Sequence, residues 1–300
     1  MRISTQMIQR FAVGSILDRQ TGLSKTQQQL ATGRRILTPS DDPSGTTQAL
    51  GLKQQMAQTD QYSSNIGRLK SSLEAEESVL VAVGDAMMRV RELGVQGFNN
   101  SYGQQDRKSI AAEVWLLKDE LFNLANSKDG TGEYMFSGFH SATQPFVDNG
   151  GGSYSYQGDQ GQRRIKISPT REVAASDSGS DIFENLSIAA GGKRNIFETI
   201  DNFATSLEAN SPDPDILTDL DTALASILNV RAQVGARMNA IDSQQQINDQ
   251  FNVQIKSTIS DISDLDYAEA ISRLNLELAG LQAAQQAFTK IQNLSLFNFL

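Results

Sequence analysis

Leu217-Thr-Asp-Leu-Asp-Thr-Ala-Leu-Ala-Ser-Ile227 opens the longest stretch of regular apolar spacing in this 300-residue sequence. Its apolar residues recur at alternating steps of three and four, which places them in one stripe along a helix that packs against a partner. The stripe continues to Ile262, over about 70 Å of helix. Its further apolar positions are Val234, Met238, Ile241, Ile255 and Ile259, and polar residues interrupt it at Arg231, Gln245, Asn248 and Asn252.

The same seven-residue repeat occurs in the rest of the chain. It is found in three N-terminal stretches: Ile16, Leu23, Leu30 and Leu37; Ile66, Leu73, Leu80 and Met87, with Leu69, Val83 and Val90 at the alternate positions; and Ile110, Val114, Leu117, Leu121 and Leu124. After Ile262 the phase breaks at Asp264-Leu-Asp-Tyr267 and resumes, shifted, with Ile271, Leu274, Leu278, Leu281 and Phe288. A phase shift inside a helical stretch predicts a bend or a change of partner. The two ends of the chain must pair with each other or with another chain, because an isolated apolar stripe faces water.

Residues 127–192 differ from both ends in composition. They are rich in Gly, Ser, Asp and Asn, and they contain short β-like pieces at residues 134–136, 153–156 and 164–167. The predicted fold is therefore mainly α, a long antiparallel helical bundle or coiled-coil rod with one small β-rich insert. We expect terminal helices over 1–42 and 257–300, a helical rod domain over 43–136 and 194–256, and a β-rich outer domain over 137–193.

Composition disfavours several classes of function. A net charge of −9 argues against a nucleic-acid partner, whose phosphates favour clustered Lys and Arg. The sequence contains no run of 18 apolar residues, so no membrane-spanning helix is predicted. The absence of Cys removes disulfides and thiolate sites. The short apolar patch at 11–17 is followed directly by polar residues and not by the small-residue cleavage site of a secretory signal. We therefore expect no cleaved secretory signal.

No set of side chains predicts catalysis, a cofactor or a metal. His140 is the sole histidine, and we expect it on a loop or at the surface. The aspartates at 41–42 and at 261, 264 and 266 lack the spacing of a calcium loop, so helix capping and solvation explain them better. The glycines at 150–152 lack the ending of a phosphate loop and predict a flexible turn.

Three segments carry a resemblance to a known family. Residues 30–43, which bracket Ser40-Asp-Asp42 with two prolines, together with Met88-Arg-Val-Arg-Glu-Leu-Gly-Val-Gln96 and residues 260–270, resemble the flagellin family. Residues 1–7 and 129–146 are similar to the hook–filament junction proteins of that family. The resemblance covers roughly the first 145 and the last 90 residues well, and the insert only in outline.

This resemblance implies a structural, non-enzymatic component of the bacterial flagellum. It would form a ring-like layer with further copies of itself, between the hook-proximal junction protein and the flagellin filament. It would be extracellular, would leave the cell through flagellar type III export, and would be escorted by an export chaperone. The alternatives are a flagellin, the bulk subunit of the filament, and a soluble coiled-coil adaptor.

The predicted assembly interface is the apolar stripe of the two terminal helices. Opposite charge supports their pairing, since residues 1–40 carry six basic residues and one acid, whereas residues 257–300 carry two bases and five acids. We name eight apolar positions the predicted seam: Ile16, Leu23, Leu30, Ile271, Leu274, Leu278, Leu281 and Phe288.

Overall fold

The computed structural model describes residues 5–293, which are mostly helical. The helices are α1 (Thr5–Thr32), α2 (Pro43–Gly97), α3 (Gln104–Ala125), α4 (Ile196–Glu208), α5 (Asp215–Ser263) and α6 (Tyr267–Asn293). The strands are β1 (Phe146–Gly150), β2 (Ser153–Tyr156), β3 (Arg164–Ser168), β4 (Arg171–Ala174), β5 (Leu186–Ser187) and β6 (Lys193–Arg194), with one π-helical turn at Ser180–Glu184. The order of the elements confirms the predicted fold class, and the interval between α5 and α6 coincides with the predicted phase break.

The chain forms two compact units. One contains residues up to Gln58 together with those from Gln250 onward, and the other spans Thr59–Asp249. The second unit includes the expected outer domain at 137–193 and most of the expected rod, whereas rod residues 43–58 and 250–256 fall in the first unit. That the segment 137–193 folds as a domain of its own stays a prediction.

The predicted apolar stripes of α2, α3 and α5 form the core of the second unit. The fully buried stripe residues are Leu69, Leu73, Leu80, Val83, Met87, Val90, Val114, Leu121, Leu220, Ile227, Val234 and Ile241. The polar interruptions of the α5 stripe contact neighbouring elements instead. Arg231 lies 2.8 Å from a carboxylate oxygen of Glu77, and Asn248 donates to the backbone oxygen of Ile167 at 3.4 Å. Such contacts restrict which partner the helix accepts.

The β-rich region consists of three antiparallel two-stranded hairpins, β1–β2, β3–β4 and β5–β6. The predicted strands at 153–156 and 164–167 are confirmed by β2 and β3. The prediction of a strand at 134–136 is wrong, because Tyr134 makes only an isolated bridge with Lys128. Gly150, Gly151 and Gly152 all have φ between 65° and 82°, which confirms the predicted glycine turn.

An aromatic cluster joins the hairpins to the helices. Phe146 at the start of β1 is fully buried, and its ring centroid lies 5.2 Å from Phe197 of α4 and 5.6 Å from Phe183 of the π-helical turn, both edge-on. Such ring pairs add specific contacts to the burial of apolar area. The hairpins therefore share one core with α4.

A buried polar contact, the Glu76 cluster, joins three elements of the same unit. Glu76 of α2 is 2% exposed, and its Oε1 accepts the backbone N–H of Asp177 at 3.0 Å. Asp177, which follows β4, pairs with Arg237 of α5. Burial, followed by the neighbouring charge of Asp177, raises the pKa of Glu76 to about 8. Glu76 is therefore mostly a neutral acid at pH 7.

Candidate assembly interface

The first unit brings the two ends of the chain together as an antiparallel pair of helices, α1 and α6, which we call the terminal pair. Arg19 of α1 lies against Gly280 of α6, and three residues later Gly22 lies against Glu277. Residue numbers rise along one helix as they fall along the other, so the helices run antiparallel. Of the two alternatives that the sequence left open, the structure shows the ends paired with each other.

Backbone hydrogen bonds anchor one end of this pair. The N–H of Leu265 donates to the oxygen of Gly33 at 3.0 Å, and the N–H of Arg35 donates to the oxygen of Ser263 at 2.8 Å. Gly33 ends α1 with φ of 68°, and a Cβ there would lie 2.8 Å from the hydroxyl of Tyr267. Only glycine suits that position, both by conformation and by space. The helix therefore ends before Leu37, so the prediction that Leu37 continues the α1 stripe is wrong.

The aspartates of this region cap helices and turns, as expected. Asp42 accepts the N–H of Gly45 in the first turn of α2 at 2.8 Å, and Asp266 accepts the N–H of Ala268 in α6 at 2.8 Å. Asp41 accepts from Lys25 Nζ at 2.6 Å, and this contact, with two backbone N–H donors, lowers the pKa of Asp41 to about 2. Within residues 5–293, no group of three potential metal ligands is found.

The most buried residues of the terminal pair were not predicted. Thr26, Gln29 and Ala270 are 2%, 5% and 0% exposed, and they form what we call the contact line. Gln29 is held there because its side-chain amide donates to the oxygen of Arg35 at 2.6 Å. Small residues allow the helices to approach closely at this line. The glycines at 22 and 280 were the sequence signal that could have located it.

The predicted seam lies beside the contact line. Six of its eight side chains are half-buried, namely Ile16, Leu23, Leu30, Leu274, Leu281 and Phe288. The other two, Ile271 and Leu278, are 49% and 39% exposed. The structure therefore brings most of the predicted seam to one helix pair but encloses none of it.

The half-buried residues of both helices fall on the same side of the pair. Leu23 follows Gly22 by one position in α1, and Leu281 follows Gly280 by one position in α6. Each leucine is thus rotated in the same sense away from the contact line, by about 100° per residue. Because the helices run antiparallel, equal rotation places both apolar rows on one side. This side of the terminal pair forms an apolar strip whose residues are only half covered.

Further large apolar side chains of the pair are exposed. Phe11, Leu17 and Leu276 are 71%, 56% and 69% exposed. The terminal pair thus has more apolar surface than its two helices can bury against each other.

The charge difference between the two ends does not produce close ion pairs across the terminal pair. In the described parts of segments 1–42 and 257–300, each ion pair joins two residues of the same segment. The pairs are Lys25 with Asp41, Arg35 with Asp42, and Arg273 with Glu269. These pairs are partly exposed, and such pairs stabilise by only about 0–1 kcal/mol each. Opposite charge can still steer the two helices toward each other over a longer distance.

His140, the single histidine of the sequence, lies at the protein surface. The His140 side chain is 62% exposed and lies 3.7 Å from a carboxylate oxygen of Asp159, which confirms the expected surface position. Among the described helices, none has both the length and the apolar character needed to cross a membrane.

Family models match both ends of the chain. The bacterial flagellin N-terminal helical region matches residues 3–141, and the bacterial flagellin C-terminal helical region matches residues 217–300. Together they cover α1 to α3 and α5 to α6, the helices that carry the predicted stripes.

Individual relatives resemble the chain over most of its length. The flagellar hook-associated protein 3 of Escherichia coli is 31% identical over 99% of both chains. Flagellin FlaB1 of Treponema pallidum is 26% identical over 81% of this chain and 79% of its own. The solved structure of hook-associated protein 3 from Legionella pneumophila superposes with a TM-score of 0.65, covering 70% of this chain and 98% of its own, at 21% identity. The last comparison establishes the fold.

Proposed function

The chain belongs to the bacterial flagellin family, and from that premise we propose that it forms the junction layer between the hook-proximal junction protein and the flagellin filament. The observation that carries this proposal is the 31% identity to a hook-associated protein 3 over 99% of both chains. A flagellin matches at 26% identity over a smaller share of the chain. The comparison favours a junction protein over a bulk filament subunit.

The half-covered apolar strip supports a role in assembly. Ile16, Leu23 and Leu30 of α1 lie beside Leu274, Leu281 and Phe288 of α6, all half-buried in the single chain. Covering this strip with a second copy or an axial neighbour would remove further apolar area from water, worth roughly 25 cal/mol per Å². The eight residues of the predicted seam are therefore proposed as contacts within the layer and with its neighbours.

We further propose that the terminal helices become ordered only in the assembled layer. The terminal pair lacks an enclosed apolar core, because its most buried positions are Thr26, Gln29 and Ala270. Ordering a residue costs about 1–2 kcal/mol, which burial must offset. A pair with little buried apolar area gains that offset from its neighbours. Residues 1–42 and 257–300 are the proposed terminal segments.

The role is structural and not enzymatic. Glu76 is the one described carboxyl group whose pKa is raised as far as about 8, and it is enclosed between α2, α5 and the segment after β4. A catalytic acid needs access to a substrate. The Glu76 cluster has the character of a packing contact.

Family membership also suggests the route and the partners. The chain would leave the cell unfolded through flagellar type III export, after contact with an export chaperone, and would reside in the external flagellum. Its neighbours would be further copies of itself, the hook-proximal junction protein and flagellin.

Electron microscopy of a deletion strain tests the proposed function. Cells without this chain should carry hooks that lack filaments and should release flagellin into the medium, while a strain complemented with the intact gene regains filaments. A deletion strain with attached filaments and normal motility would contradict the junction role and favour a soluble adaptor. Loss of flagellin from both cells and medium would instead identify the chain as the filament subunit.

A further inference from the structure

The apolar rows of the terminal pair do not by themselves fix how the two helices align. Leu23 and Leu30 are seven residues apart, as are Leu274 and Leu281. If α6 slipped by seven residues along α1, leucines would again lie beside leucines. Pairs of helices with repeating apolar rows are restricted to one alignment by residues that do not repeat.

Two such residues cross the contact line. The Nη1 atom of Arg19 lies 3.1 Å from the position that a Cβ would occupy at Gly280. The Oε1 atom of Glu277 lies 3.2 Å from the corresponding position at Gly22. Each charged side chain is thus placed over a glycine of the opposite helix. Replacing that glycine by a residue with a side chain would take up the space that the charged side chain occupies.

The two contacts also bring opposite charges close together. The two contacts lie three residues apart along each helix, an axial rise of ~4.5 Å. The second carboxylate oxygen of Glu277, Oε2, is buried and accepts no hydrogen bond from the described residues. A buried carboxylate oxygen without a donor is costly, and the positive charge of Arg19 one turn away compensates for part of that cost.

A slip by one repeat would remove both contacts. In one direction Arg19 would face Arg273, a like charge. In the other direction Glu277 would face the long side chain of Gln29 instead of a glycine. We infer that Arg19 and Glu277, each lying over a glycine of the opposite helix, select the alignment of the terminal pair. This alignment rests on the proposed assembly role for its consequence in the flagellum. In the single chain it is measured as an equilibrium, which reports the paired alignment even when the pair is a minor population before assembly.

Disulfide formation measures the alignment directly, because the chain has no Cys of its own. One helical turn before Arg19 on α1 is Ser15, and one turn after Gly280 on α6 is Ala284, so the observed alignment places Ser15 opposite Ala284. In the purified full-length chain carrying Ser15→Cys and Ala284→Cys, the equilibrium yield of the intrachain disulfide in a glutathione buffer reports this alignment. Arg19→Glu and Gly22→Leu should each lower the equilibrium constant by about tenfold. Gly14→Leu is the matched control on α1, since a Cβ at Gly14 meets nothing within 4 Å.

Equal constants in the parent, Arg19→Glu and Gly22→Leu chains would overturn the inference. A loss as large in Gly14→Leu would also overturn it, because the effect would then come from α1 as a whole. Motility of cells that produce the same variants without the cysteines separates the two proposals. Lost alignment with normal filaments would contradict the assembly role of the terminal pair while leaving the alignment inference intact. Retained alignment with lost filaments would contradict the alignment inference alone.

Discussion

Replacing Glu76 by Gln should stabilise the chain above neutral pH. The Gln side chain keeps an oxygen that can accept the N–H of Asp177, the bond that Glu76 makes at 3.0 Å. Its amide can also donate to the Asp177 carboxylate, as a neutral Glu76 would. The charged groups around this position are Asp177 and Arg237, with Asp129, Glu133 and Arg163 lining the adjoining small cavity. The substituted amide therefore mimics the neutral acid but cannot ionise.

The size and sign of the effect follow from the pKa of Glu76, which rises from 4.5 to about 8 on folding. Between these two values the folded chain holds a proton that the unfolded chain has released. The free energy of unfolding of the wild type should therefore fall as the pH rises from 4.5 to 8 and level off above it. At ~1.4 kcal/mol per pKa unit the full loss is on the order of 5 kcal/mol, and at pH 7 about 3 kcal/mol. Below pH 4.5 the two proteins should have similar stability.

Urea unfolding followed by the fluorescence of Trp115 provides the assay. Trp115 is the single tryptophan, and its ring nitrogen donates to Glu208 at 3.2 Å within the unit that contains Glu76. Glu77→Gln is the control, because it removes an ion pair with Arg231 that is about 30% exposed and should change stability by only about 0–1 kcal/mol. The reasoning is refuted if the stabilities of wild type and Glu76→Gln differ by the same amount at pH 5 and pH 8.

Three further predictions follow from the packing. Limited proteolysis of the purified monomer should trim roughly the first 40 and last 40 residues and leave a stable core, whereas protease-resistant ends at low concentration would show that the terminal pair is already stable in the single chain. Leu274→Asp should abolish filament attachment while the protein is still exported, because a carboxylate cannot be enclosed without a partner; Ser272→Asp, on an exposed position of the same helix, should attach filaments normally. Phe146→Ala should lower the free energy of unfolding by about 3–5 kcal/mol, against well under 1 kcal/mol for Phe139→Ala, whose side chain is 64% exposed.

Much of the fold was predictable because its helices carry long repeating stripes. The stripe from Leu69 to Val90 is fully buried in α2, and the phase break at 264–267 falls where α5 ends and α6 begins. A period of seven, however, says only that one face of a helix is apolar. It does not say whether that face lies at the contact with a partner or beside it.

The terminal pair shows this limit. Its apolar residues Leu23 and Leu274 belong to the predicted assembly seam, which stays a prediction. Within the single chain, the most buried positions of the pair are Thr26, Gln29 and Ala270. Polar and small residues carry no hydropathy signal, so a search for apolar repeats passes over them. The buried Glu76 was missed for a different reason. Its burial depends on Asp177 and Arg237, which lie far from it in sequence.

The position of the chain along the flagellum tests the central claim most directly. Antibody against the unit Thr59–Asp249, visualised with gold in electron micrographs of intact flagella, would show where the protein resides. A junction layer predicts one narrow band of label at the boundary between hook and filament, with few copies per flagellum. Label along the whole filament would identify the chain as a flagellin, and label confined to the cell body would contradict any place for it in the flagellar axis.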